Sequence, residues 1–273
     1  MAVQEGRNKG ALPRYTKPPV IEVVLGAQFE ALRGLMTPHY GLFWQLVREE
    51  YPDVEDKTPL AEIFEDRPAP GPALELVELP PQRRVFFIHH EKNFLLQLQP
   101  TRFLHNWRKV KEEDSYPTFA IAEERFRNYW SLFTRFVAEH KLGGLQVNQY
   151  ELTYINHIVE GEGAFPLAIP KYLAAFNWQS DRAAPFLPEP GSLAINIRFK
   201  LPENKGALHV SLKHGKRLAD AMDVLVLELT ARGPAKSDAS DMGGWFSVAH
   251  EWIVKGFTDL TTDVAHRVWE RFQ

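Results

Sequence analysis

The sequence predicts an α+β fold, a tandem β-α-β-β-β-α repeat forming one large antiparallel sheet with two long helices packed on one face. Three observations carry this expectation. Two long stretches, Thr118–Lys141 and Trp245–Phe272, place apolar residues every three or four positions, as a helix with one buried stripe does. Each is preceded by short runs of alternating apolar and polar residues broken by Pro, Gly and charged turns, the pattern of an antiparallel meander. The element order over 19–141 then recurs over 145–272.

In the first half, Pro19–Phe29 is β-branched early and alternating later, and its opening prolines cannot donate ladder hydrogen bonds, so it reads as a strand. Tyr40, Phe43, Val47 and Tyr51 stand at helical spacing in a short helix that Pro52 closes. Residues 52–72 mix charge with Pro52, Pro59, Pro68, Pro70 and Pro72 and read as a surface loop. Leu74–Leu79, Arg84–His90 and Phe94–Phe103 make the first meander. Phe119, Ala122, Phe126, Phe133 and Val137 stripe the long helix between Pro117 and the Gly143-Gly144 stop.

The second half opens on a strand over Leu145–Ile158 and a short helix over Leu167–Phe176, interrupted early by Pro170. After a loop with Pro185, Pro188 and Pro190 come strands over Leu193–Leu201, Ala207–Lys213 and Asp223–Ala231. One helix, Trp245–Phe272, ends the chain, its stripe running from Phe246 through Val268. The organisation expected is a disordered tail over 1–17 and two halves, 18–143 and 144–273, packed as one unit.

Composition bounds the function classes. Hydrophobic residues are 44% of the 273, with 18 Phe, 7 Trp and 8 Tyr, enough apolar surface to offset the entropy of ordering the chain. A net charge of -3 supplies no global basic field for non-specific nucleic-acid or membrane-surface binding. The absence of cysteine excludes thiol catalysis, disulfides and thiolate metal sites and fits a cytoplasmic protein. The polar start, Met1–Tyr15, has no apolar core of a signal peptide. No apolar run approaches the roughly 18 residues of a spanning helix, so a soluble protein without membrane insertion is expected.

Two regions are candidate binding sites. With Ile195, Ile197 and Phe199 toward the core, Arg198 and Lys200 project from the other face, as do His209 and Lys213 opposite Leu208, Val210 and Leu212. In the first half Gln97 and Gln99 point outward on the same reasoning, and Glu151, Thr153 and His157 share one side of the central strand. The second region is at loop ends. Arg102, His105, Asn106, Trp107, Arg108 and Lys109 follow the third strand of the first meander, and Lys213, His214, Lys216 and Arg217 lie in a hairpin of the second. Basic clusters with an aromatic suit a phosphate or a base.

Catalytic and metal motifs are missing. His89 and His90, adjacent on a strand, point to opposite faces and make poor co-ligands. Val254 stands four positions after His250 where a zincin has its second His. Whether His209 and His214 converge with His105 or His157 is decided only by the fold. Gly161-Glu162-Gly163 lacks the remainder of a phosphate-binding loop, and no Gly-x-Ser-x-Gly elbow occurs. Asp220, Asp223 and Glu228 are explained as well by turns and caps as by an acid pair. No cofactor, metal or catalytic residue is assigned.

Several segments are familiar together: Pro18-Pro19-Val20-Ile21-Glu22-Val23-Val24, Leu96-Gln97-Leu98-Gln99 with Asn106-Trp107-Arg108, Leu152-Thr153-Tyr154-Ile155-Asn156-His157-Ile158, and Ala249-His250 through Phe257. They resemble a sporadically distributed bacterial family of uncharacterised proteins of similar size, over 18 to about 270. Where that family tends to read Leu-Arg-Tyr-Ile-Asn-Arg-Ile, this chain has Thr153 and His157 at the basic positions. The resemblance brings no assigned activity with it, and the patchy distribution implies accessory gene cassettes such as phage defence. The function expected is recognition, regulation or scaffolding of a partner protein through the polar sheet face or the loops near Trp107 and Lys213. The alternatives are a nucleic-acid binder using Arg198, Lys200, Lys213, Lys216 and Arg217, and an apolar small-ligand site between sheet and helix.

Overall fold

The computed structural model describes residues 11–65, 83–159, 169–174, 192–217, 222–235 and 241–273. The fold is α+β, built on a nine-stranded antiparallel sheet. In chain order the strands are β1 (Val20–Phe29), β2 (Asp53–Lys57), β3 (Arg84–Ile88), β4 (Phe94–Gln99), β5 (Arg102–Arg108), β6 (Val147–Val159), β7 (Ala194–Lys200), β8 (Ala207–Lys216) and β9 (Asp223–Pro234). Their order across the sheet is β2-β3-β4-β5-β1-β6-β9-β8-β7. The helices are α1 (Thr37–Val47), α2 (Phe119–Glu139), α3 (Ile169–Tyr172), α4 (Asp241–Leu260) and α5 (Asp263–Val268).

The alternation of β1 sets the two faces. Val23, Leu25, Ala27 and Phe29 are fully buried on one side, in register with Trp107, His105 and Phe103 on β5 and with Tyr154, Leu152 and Tyr150 on β6. The helices cover this side. Phe43 of α1 meets Phe87, Phe103, Phe133 and Phe136, with ring centroids 5.4 to 6.2 Å apart and mostly edge to face, the geometry the aromatic quadrupole prefers. The two long helices touch each other through Phe126 and Phe246 at 5.3 Å and through Phe119 stacked on His250 at 4.0 Å.

The structure differs from the sequence reading at five places. Residues 52–72 were expected as loop, yet Asp53–Lys57 pairs with β3 along its whole length. Its side chains are all exposed, so the strand is held by the edge it completes and not by an apolar face. Phe94–Phe103 is two strands turned at Pro100-Thr101, and the segment read as loop ends, Arg102–Arg108, is β5 in the middle of the sheet. The final helix is broken at Thr261-Thr262, where the Thr262 hydroxyl caps α5 by accepting from the Ala265 amide. Val264 and Val268 keep the spacing of the stripe but face solvent.

Phe199, expected in the core, is 39% exposed on the edge strand β7. Finally, the tail expected over 1–17 is tied down from residue 14. Arg14, Thr16 and Lys17 donate backbone bonds to Gln273, Glu270 and Trp269, and Tyr15 packs edge-on against Phe257. The expected strand Leu74–Leu79 and the loop of Pro185, Pro188 and Pro190 lie outside the described residues. Among the described residues no helix is long and apolar enough to cross a membrane.

One close approach locks β8 to β9. Gly206 sits at φ +106, and a Cβ there would lie 1.9 Å from the Arg232 carbonyl oxygen and 2.4 Å from the Gly233 Cα. Backbone cannot give way as a side-chain tip can. Gly206→Ala is expected to destabilise the fold by about 2 to 3 kcal/mol, seen as a lower urea midpoint at unchanged slope. A midpoint within error of the unaltered chain would contradict the close approach.

Candidate functional site

The second face of the sheet is polar, and its central part is buried. Gln28, Gln97, Gln99, Arg102, Asn106, Gln149, Thr153 and Thr230 are all buried. The sequence reading put Gln97, Gln99 and Thr153 on this side correctly but expected water there. Two arrangements account for their satisfaction. Lateral networks join neighbouring strands, and the chain's own segment Leu60–Glu65 crosses over one end of the face.

The lateral networks run perpendicular to the strands. Arg84 donates to Gln97, Gln97 to Asn106 at 2.8 Å and Asn106 to Glu22 at 2.5 Å, linking β3, β4, β5 and β1. Burial pushes the Glu22 carboxyl up, against the Asn106 hydrogen bond. Farther along, Glu151 accepts from Arg232 at 2.6 Å and stands 3.9 Å from Arg102. The hydroxyls of Thr153 and Thr230 meet at 2.9 Å. Buried polar groups persist when paired in this way, because each partner removed would orphan another.

The segment Leu60–Glu65, hereafter the strap, is held mainly by its backbone. The Gln99 side-chain amide takes both the N–H and the carbonyl of Leu60, each at 3.0 Å. Arg102 donates to the Ala61 carbonyl at 3.2 Å. Gln28 takes both the N–H and the carbonyl of Ile63, and Gln149 donates to that same carbonyl at 2.9 Å while accepting from the Glu65 amide. The Ile63 side chain is 38% exposed, so its place depends on its peptide groups. Glu65 is anchored by its side chain as well. Its carboxylate, 7% exposed, accepts from Arg198 on β7 at 3.0 Å and from His209 on β8. Burial pushes that carboxyl up, and the two hydrogen bonds outweigh it and hold it below the usual carboxylate value.

Magnitudes place the strap near balance. Seven hydrogen bonds to its backbone, at about 1 kcal/mol net each, stand against about 1 to 2 kcal/mol per residue of backbone entropy for six residues. The Glu65 ion pairs then carry much of the margin. Arg102, 5% exposed, still has an Nε without a partner among the described residues.

The expected binding residues are dispersed by this fold. Arg102, His105, Trp107 and Arg108 lie on one strand, and its alternation sends Arg102 and Arg108 to the polar face and His105 and Trp107 into the helix side. A surface cluster around Trp107 is therefore corrected, since that ring is 3% exposed and packs on Tyr116. Arg108 donates to the Lys92 carbonyl. Arg198 and His209 are brought together on Glu65. Lys200 and Lys213 are exposed on β7 and β8. His214 and Lys216 both meet Asp223 at 3.2 Å, and Arg217 reaches the Met222 sulfur. His157 is half-buried on β6, and burial lowers its pKa. Asp220 lies outside the described residues.

Sequence reasoning missed Glu65, Gln28 and Gln149, whose roles depend on contacts far apart along the chain. It also misplaced His89 and His90. Because β3 ends at Ile88, they sit on a hairpin turn with rings 4.0 Å apart. With Glu91 they are the one group of potential metal ligands among the described residues. A cleft of about 470 Å³ also opens between β7, β8 and α4, lined by Phe199, Leu208, Trp252 and Gly256 with Lys255 and Arg271 among its polar lining residues. Compared with protein-family models, curated proteins and solved structures, the chain finds no match.

His105 is buried between Phe94 and Tyr129, with the Tyr51 hydroxyl at 3.1 Å from Nε2. Burial, aided by Arg125 and His89, lowers its pKa to about 3, and burial lowers that of His250 to about 4. Both are neutral in the fold and titrate near 6.5 when unfolded. The unfolded chain thus binds more protons below 6.5, so stability is full above that pH and falls as pH drops toward the folded values. Each imidazole is expected to contribute a slope of up to about 1.4 kcal/mol per pH unit. Urea unfolding from pH 7 to 4.5 should show a shallower slope for His105→Phe, and an unchanged slope would contradict burial of a neutral imidazole.

Proposed function

We propose that this protein is a non-enzymatic recognition protein that binds a partner protein through the polar face of its sheet. One observation carries the reading, which is the capture of the Leu60–Glu65 backbone by Gln28, Gln99 and Gln149. Side-chain amides that take peptide N–H and carbonyl groups in pairs reproduce a strand ladder without a strand. Such contacts are indifferent to the side chains of the segment held. The loops near Lys213 are a weaker candidate, because Lys216 and His214 are engaged by Asp223. A nucleic-acid reading loses Arg198 to Glu65 and Lys216 to Asp223 on the same grounds.

The internal duplication belongs to this proposal. In sheet order the strands run β3-β4-β5-β1 and then β6-β9-β8-β7, mirrored about the central β1-β6 pair. This supports reading the halves as copies that were joined to create one face neither half has alone.

Peptides selected from a random display library against the immobilised full chain test the reading. Their affinity is expected to fall about tenfold on Gln99→Ala or Gln149→Ala, the loss of one or two hydrogen bonds at each site. Undiminished binding to both variants would place recognition elsewhere on the molecule.

A further inference from the structure

We infer that the partner's docking segment is an extended acidic peptide, and that the strap occupies its place until it arrives. This rests on the recognition reading above and names the chemistry of its ligand. The structure holds a worked example of the ligand, because the strap is an extended segment of this chain seated on the face. Its peptide groups are read by glutamines from three separate strands, β1, β4 and β6, which sets the required shape. Backbone capture demands an extended segment running across the strands and tolerates most side chains along it. Ile63 illustrates the tolerance, with both peptide groups bonded while the residue stays 38% exposed.

Charge sets the second requirement. Arg198 and His209 converge from adjacent positions of β7 and β8 on one buried carboxylate. A guanidinium and an imidazole that converge on the two oxygens of one carboxylate select an anion. Any competing segment therefore needs Asp or Glu at the place of Glu65, or it leaves Arg198 without its counter-ion. Arg102 lies between Gln28 and Gln99 with an unpartnered Nε among the described residues, and it offers a ligand one hydrogen bond more than the strap uses. A segment that accepts this bond has an advantage over the internal one.

The strap is held through seven hydrogen bonds to its peptide groups and through the Glu65 carboxylate, features that another chain can supply. A segment of another protein with similar length and charge is thus a direct competitor, and its binding is weakened by the strap's own occupancy. Opening the strap raises the apparent affinity by the fraction of sites it frees.

The experiment uses the full chain and two fluorescein-labelled synthetic peptides. One is Thr-Pro-Leu-Ala-Glu-Ile-Phe-Glu, matching residues 58–65, and the other ends in Gln. The Glu65→Gln chain, whose strap has lost its anchor, is expected to bind the acidic peptide about tenfold more tightly than the unaltered chain. The Gln-ending peptide should lose that gain, and Arg198→Ala should bind both peptides equally weakly. Hydrogen exchange at residues 60–65 provides the second readout, with strap amides expected to exchange faster when the acidic peptide is bound.

Equal affinity of the unaltered and Glu65→Gln chains, with strap exchange unmoved, would overturn the inference. Library-selected peptides that still depend on Gln99 and Gln149 would then leave the broader recognition reading standing. If neither kind of peptide depends on those glutamines, both fail together. Dimers that form on strap opening and disperse on adding peptide would overturn it differently, by making a second copy of this chain the occupant.

Discussion

A sheet whose central strands are buried on both faces must satisfy the polar groups those strands carry, and that requirement organises this molecule. On the helix side the solution is ordinary, since Val23, Leu25, Ala27 and Phe29 carry no polar side-chain atoms. The second face instead presents amides, hydroxyls and charges from six central strands. Burial without partners would cost several kcal/mol for such groups. The lateral networks satisfy those near Glu22 and Glu151, and the strap satisfies Gln28, Gln99 and Gln149. Removing the strap takes away the peptide partners of all three amides, leaving Gln28 its bonds to Asn148 and Arg102 and Gln99 its bond to Thr101. The middle of the face is consequently built around the peptide groups of residues 60–65.

This links the fold to its expected use. The mirrored strand order brings β1 and β6 together at the centre, so Gln28 and Gln149 stand side by side in register. Gln99 and Arg102 reach the same row from the next strands. Arg198 and His209 stand farther out, in the second half of the chain. No single half holds the strap along its length. The amides of β1, β4 and β6 hold the strap's peptide groups at one end, and the basic residues of β7 and β8 hold Glu65 at the other.

Much of this was legible in the sequence where the signal was periodic. The stripe of α2 and the alternation of β6 through β9 place their elements within a few residues. Legibility failed where local pattern and environment part company. Asp53–Lys57 has no apolar alternation because all five of its residues are exposed, and pairing with the edge of β3 makes it a strand. Arg102–Arg108 reads as a charged aromatic cluster until Phe103, His105 and Trp107 are set against Arg102, Leu104, Asn106 and Arg108. That alternation, following Pro100-Thr101, was the available signal. The break before α5 was signalled by Thr262-Asp263, a cap followed by an acid, inside a stripe whose spacing did not change. The strap left no trace, because its contacts join residues 35 to 144 positions apart.

The claim at the centre of this account is that glutamine side chains hold the strap. Nuclear Overhauser contacts from the side-chain amide groups of isotopically labelled Gln28, Gln99 and Gln149 to backbone amides of residues 60–65 test it most directly. The account requires contacts from Gln99 to Leu60, from Gln28 to Ile63 and from Gln149 to Glu65, with side-chain amide protons exchanging slowly. Sharp, rapidly exchanging side-chain amide signals with no contact to those residues would contradict it.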